Sequence, residues 1–227
     1  MASTTRRWLP LLLAAVLGWL FWRSLALLPL RLLVVVFHEA GHALAAVLTG
    51  GDVVGIQISP NEGGLTTTAG GWRFLVLNGG YLGSLLFGVV ILALGRKPGT
   101  GQSLCTLLGL MLLGAALVWF RPILSFGFAY ALVVGGALVL LPGRLPVWLT
   151  DGFTRFLGVF SVMYALFDIQ DDVFRLGFFG GSWYGDGPIR SDAHMLADLT
   201  GIPSVIWGLG WIGLGLLTLV LTRKWVA

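Results

Sequence analysis

Two histidines and a glutamate stand within five residues of one apolar run, Val36-Phe37-His38-Glu39-Ala40-Gly41-His42-Ala43-Leu44. On a helix, residues four apart project from the same face, so His38 and His42 point the same way. Two imidazoles so placed can bind one Zn²⁺ and leave room for a third protein ligand and a water molecule. A metal there lowers the pKa of that water, and Glu39, next to the first histidine, can take its proton. The water is then a nucleophile for a carbonyl carbon, which is the chemistry of a metallohydrolase.

The bland alternative is a structural role for all three side chains. The chain holds three histidines and two glutamates, and random placement gives this pattern with a probability on the order of three in ten thousand. Chance is therefore a poor explanation. Ionisable groups in the middle of a membrane helix cost several kcal/mol unless they are used, and a structural role needs buried partners for each. A bis-imidazole haem site would leave Glu39 without a role.

The residues around the motif define its solvent. Of 227 residues, 57% are hydrophobic and 11% charged, with a mean hydropathy of +0.91. A soluble domain carries about 25% charged residues, so most of this surface must face lipid. No polar linker separates two cores, and residues 1–227 read as a single integral membrane domain. The net charge of +4 comes from basic residues set singly or in pairs. They fit loop anchors at the membrane surface and offer no stripe for nucleic acid. Cys105 is alone and has no partner for an internal disulfide.

The zinc-motif helix is expected at about 30–48. An uncleaved first span is expected at 8–22 after Arg6-Arg7, because no small-x-small cleavage site follows it. Further spans are expected at about 73–94, 103–120, 123–141, 153–175 and 203–222, each long enough to cross roughly 30 Å of hydrocarbon. Residues 51–70 differ in kind. Val54, Ile56 and Ile58 alternate, Pro60-Asn61-Glu62-Gly63-Gly64 turns the chain, and Leu65-Thr66-Thr67-Thr68 favours strand, the pattern of a β-hairpin. The fold class is thus an all-α polytopic membrane protein of about seven transmembrane helices, with a short membrane-associated β-hairpin after the zinc-motif helix. Basic residues are nearly balanced between the two sets of loops and do not fix orientation. No inverted repeat is visible, which counts against a transporter.

The candidates for a third ligand lie in the Asp-bearing helix and loop, about 153–201. With seven spans, the zinc-motif helix ends on the hairpin side, and His42 lies roughly 9 Å from that end. Asp168 and Asp172 at the end of the sixth span, and Asp192 in the loop after it, fall on that side. Asp151 starts the sixth span on the other side, in what reads as a connecting loop. Asp168 and Asp172, four apart, could instead pair with Arg175 or orient a zinc histidine. His194 is either a ligand or an ordinary loop histidine. Asn78 is either a donor to a developing oxyanion or a helix cap. An exposed hairpin edge at 53–68 could hold an unwound substrate segment by strand addition.

His38-Glu39-Ala40-Gly41-His42 in an apolar helix, with Gly63-Gly64-Leu65-Thr66-Thr67, Gly79-Gly80-Tyr81-Leu82-Gly83-Ser84, and Ser191-Asp192-Ala193 followed by Trp207, resembles the site-2 protease class of intramembrane zinc metalloproteases. This is peptidase family M50, and the likeness is greatest to its short M50B-like branch. The resemblance implies a Zn²⁺-dependent endopeptidase acting on a membrane-embedded or membrane-proximal protein substrate within the lipid bilayer. Site-2 proteases take their third ligand from an Asn/Leu-Asp-Gly motif, which Asp151-Gly152 matches only in its last two residues. The M50B-like branch carries the same Ser-Asp-Ala element, so the resemblance favours Asp192, with Ser191 capping a short helix over 192–199. The expected site is His38, His42 and Asp192 on the metal, with Glu39 as general base and then acid. The departure at the third ligand leaves a second expectation, a non-hydrolytic membrane scaffold or chaperone-like protein that keeps the peptidase fold.

Overall fold

In a computed structural model, the structure describes Val16, Leu20, Phe21 and residues 24–169, 183–184, 187–188 and 191–225. The span expected at 8–22 lies almost wholly outside them. The elements are helix α1 (Leu28–Leu48), strands β1 (Asp52–Ile58) and β2 (Gly64–Ala69), helices α2 (Arg73–Leu94), α3 (Gly101–Trp119), α4 (Phe126–Leu140) and α5 (Val147–Ile169), two-residue strands β3 (Trp183–Tyr184) and β4 (Gly187–Pro188), and helices α6 (Asp192–Thr200) and α7 (Ser204–Thr222). Among the described residues six helical segments are long and apolar enough to cross a membrane, and the short α6 is the seventh α-helix.

Local chemistry sets the ends of α1. Ser24 Oγ accepts from Ala26 N at 3.2 Å and opens a 3₁₀ turn, and Pro29 sits in the first helical turn, where a missing N–H costs nothing. The helix stops at Thr49, and Gly50 continues with a positive φ of 81°. Lipid gives no hydrophobic drive between helices, so close packing must hold them. Gly41 makes that possible: a Cβ there would fall 2.8 Å from Gly83 Cα and nearer still to the Gly79 carbonyl. α1 therefore lies backbone to backbone on α2, and it is the most buried span while α7 is the least.

The hairpin pairs antiparallel from Asp52 opposite Ala69 to Ile58 opposite Gly64. Its turn is closed by Ser59 N donating to Gly63 O at 2.8 Å, with Glu62 at φ 68°. Alternation puts Val54 on the same face as Ile56 and Ile58, but a register shift between Val53 and Gly55 turns Val54 outward while the two isoleucines stay buried. Arg31 Nη2 meets Glu62 Oε1 at 3.1 Å, and Thr66 meets Glu39. Arg31 and Glu39 lie about 12 Å apart along the helix, so the turn residue Glu62 and the β2 residue Thr66 meet α1 at levels more than two turns apart. The hairpin thus runs back along α1 from its C-terminal end.

Its two edges differ. Arg121 N donates to Ile56 O at 3.1 Å, and Ile56 bridges Phe120 in parallel. The α3–α4 connection therefore covers the β1 edge, contrary to an open edge across 53–68. Because the main-chain groups of Ile56 face Phe120–Arg121, those of Thr66, its partner across the pair, face away from β1. The free edge among the described residues belongs to β2.

Candidate metal centre

His38 and His42 sit one turn apart on α1. Each directs Nε2 at one oxygen of Asp192: His38 Nε2 lies 3.1 Å and His42 Nε2 3.2 Å from Asp192 Oδ2. The three donor atoms lie within 4.8 Å of one another, the one such group of three among the described residues. His42 Nδ1 is 2.7 Å from the Val76 carbonyl. A carbonyl can only accept, so Nδ1 carries a proton, and in the neutral ring Nε2 carries the lone pair. A lone-pair nitrogen and a carboxylate oxygen repel at these distances unless a proton or a metal cation lies between them.

The donor set fits a metal. Nitrogen and oxygen ligands at 2.0–2.2 Å in a tetrahedron are about 3.4 Å apart, close to the observed separations. Gly80 on α2 forms the opposite wall. A Cβ there would lie 2.5 Å from His38 Cε1 and 2.6 Å from His42 Nε2, so only glycine leaves this space open. Tyr81, fully buried, meets the His38 ring edge-on at 4.8 Å and packs on Trp211 at 4.5 Å.

Asp192 is the first residue of α6, which packs on α2 and α7 through buried Ala193 and Leu196. Burial pushes its carboxyl up, but where the proton between them sits on the facing Nε2, His42 and then His38 outweigh burial through charge and hydrogen bonding and hold it below the usual carboxylate range.

Glu39 is 4% exposed and turns toward the hairpin. Thr66 Oγ1 donates to Glu39 Oε2 at 2.6 Å. Gly64 lies flush on the same carboxylate, since a Cβ there would be 2.7 Å from Glu39 Cδ. The arrangement is thus a convergent nitrogen–nitrogen–oxygen group on one side and a buried, hydroxyl-held carboxylate adjacent to it in the chain. A family model described as Peptidase M50B-like matches residues 11–222. The chain belongs to the Peptidase M50B-like family. No curated protein and no solved structure matches it. The match includes every element that builds the centre, and with six helices among the described residues long and apolar enough to cross a membrane, this M50B-like chain is a multi-pass integral membrane protein.

The other sequence-derived candidates of this M50B-like protein fall as follows. Asp168 lies in the last turn of α5 and is not in the three-donor group; Asp172 lies outside the described residues. Asp151 is not in a loop. α5 begins at Val147, because Pro146 opens its first turn and accepts from Leu149 N and Thr150 N. From there Asp151 accepts from Gly99 N at 2.7 Å and Gly101 N at 2.8 Å, capping α3. Ser191 stands at the N-cap position of α6 but makes no capping bond; its hydroxyl is 2.8 Å from His194 Nδ1 instead. Asn78 is no cap either. It is buried in the second turn of α2, donates to Phe74 O at 2.9 Å, and accepts from Trp211 Nε1 at 3.1 Å. Sequence reasoning missed Thr66 and the wall role of Gly80. The glycine pair 79–80 was visible, but nothing local said which ring it faced.

Proposed function

We propose that this protein is an intramembrane zinc metalloendopeptidase that hydrolyses a peptide bond in or near the membrane. The observation that carries the reading is the convergence of His38, His42 and Asp192 on one space that Gly80 leaves open. His38, His42 and Asp192 would hold Zn²⁺. Bound there, the metal supplies Lewis-acid activation of water and of the scissile carbonyl. Glu39 takes a proton from the attacking water as its oxygen bonds to the carbonyl carbon. It then gives that proton to the leaving nitrogen as the C–N bond breaks, which returns the carboxylate to its starting state. Burial strengthens each of these charge interactions relative to water.

A membrane-helix substrate hides its carbonyls in its own hydrogen bonds and must be locally unwound. The free β2 edge, with the main chain of Thr66 facing outward, is where an extended segment would add as a strand. Photocrosslinking should therefore capture substrate from Leu65 on β2 and not from Val54 on β1; the reverse pattern removes this docking mode. The central test is Glu39→Gln in the full chain. Retained zinc with no hydrolysis of a membrane-embedded substrate is expected. Hydrolysis at the wild-type rate would refute the assignment of Glu39.

A further inference from the structure

We propose that Thr66 is a positioning residue, which fixes the Glu39 carboxylate for proton transfer and ties that geometry to the seating of the hairpin. The inference rests on the peptidase reading and adds to it a residue on a different element. Glu39 is 4% exposed within a membrane-spanning helix. A buried carboxylate needs hydrogen bonds to be tolerated. Among the described residues, the hydrogen bond its carboxylate receives comes from Thr66 Oγ1, at 2.6 Å. That distance lies in the range of a charge-assisted O–H···O⁻ bond. The same hydroxyl is 3.1 Å from the Glu39 main-chain carbonyl; its single proton goes to the shorter and charged acceptor.

Three features make this bond a device for aim. A glutamate has three rotatable side-chain bonds, so one oxygen held at a fixed point removes most of its freedom to swing. Threonine is β-branched, and in a strand its own χ1 is restricted, so the hydroxyl is a stiff anchor. Gly64, two residues earlier on the same face of β2, lets the strand lie directly on the carboxylate, because a Cβ there would be 2.9 Å from Glu39 Cγ. The anchor is also on the strand whose outer edge is free. A segment that pairs with β2 would press the strand that aims Glu39, so substrate docking and base alignment share one residue.

The test compares Thr66→Val and Thr66→Ser with wild type in the full chain, zinc-loaded in proteoliposomes with a membrane-embedded peptide substrate. Valine keeps the shape and removes the hydroxyl; serine keeps the hydroxyl. Valine should lower kcat roughly tenfold to a hundredfold, the range for a hydrogen bond to a charged group. KM and bound zinc should be unchanged, and serine should restore kcat to within about threefold. A second readout needs no turnover: in a thermal-stability cycle with Glu39→Ala, the effect of Thr66→Val should vanish once the carboxylate is gone. A wild-type kcat in the valine variant overturns the inference. So does equal impairment of both variants, or an additive cycle. Zinc-loaded wild type that hydrolyses no membrane peptide overturns the peptidase reading and this inference together, whereas an active wild type beside an equally active valine variant overturns only the role of Thr66.

Discussion

Gly80→Ala probes the space between the imidazoles with a single methyl group. The added Cβ would stand 2.5 Å from His38 Cε1 and 2.6 Å from His42 Nε2, whereas ordinary contact begins near 3.4 Å. The difference is 3.4 − 2.6 = 0.8 Å at His42 Nε2 and 3.4 − 2.5 = 0.9 Å at His38 Cε1, and it is larger still at His38 Nε2, the atom nearest the added carbon. Neither ring has an easy retreat. His42 is bound through Nδ1 to Val76 O, His38 is backed by Tyr81, and both rise from a helix held to α2 at Gly41. A metal ligand tolerates errors of about 0.2 Å, so a displacement near 0.8 Å takes at least one nitrogen out of bonding range. Overpacking of this kind costs about 1–3 kcal/mol in stability. Mis-setting a ligand through its support lowers metal affinity about 10- to 100-fold, and losing one outright lowers it further. The assay is zinc content by metal analysis, with a chelator competition for affinity, on Gly80→Ala beside Gly114→Ala, where nothing lies within 4 Å of the added carbon. Loss of zinc in the first and not in the second is expected. Wild-type zinc affinity in Gly80→Ala would show that no metal uses this space.

Four further outcomes follow from the same geometry. Asp192→Ala should reduce zinc affinity by at least 100-fold while Asp168→Ala leaves it intact, measured by the same competition; the opposite result would move the third ligand to α5. Asp151→Ala should lose about 1–2 kcal/mol of stability, the value of a helix cap, with zinc content unchanged, as read from melting in detergent together with metal analysis. Glu62→Gln should lower the melting temperature by weakening the partner of buried Arg31, whose Nε has no hydrogen-bond acceptor among the described residues. The loss is about 1.5–3 kcal/mol on the scale of hydrogen bonds to charged groups. Gly41→Ala should destabilise more than any of these, since its Cβ meets main-chain atoms of Gly79 and Gly83 that cannot rotate away; the yield of folded protein in detergent reports it.

The elements and the histidine pair were legible in the chain because both depend on short-range geometry. A helix makes His38 and His42 share a face whatever surrounds it, and the scarcity of charge fixes lipid as the solvent. The hairpin was legible from alternation and a glycine-rich turn, within one or two residues of its true ends. Failures began where a residue's role depends on what lies across from it. Val54 should face inward by alternation, and a bulge turns it out. Asp151 looked like a loop acid, and it caps a helix 50 residues earlier. The β1 edge looked free, and the link after α3 covers it. Sequence spacing left three aspartates on the metal's side of the membrane. It could not rank their distances to His38, because 154 residues separate Asp192 from that ring and the gap is closed only by α6 packing on α2 and α7. What the sequence determined by itself was the solvent, the spans and the direction of two imidazoles, all set by neighbours a turn away. The tertiary structure alone decided which carboxylate meets them, which glycine wall leaves space beside them and which hydroxyl meets Glu39, because those depend on elements that touch only after the chain has packed.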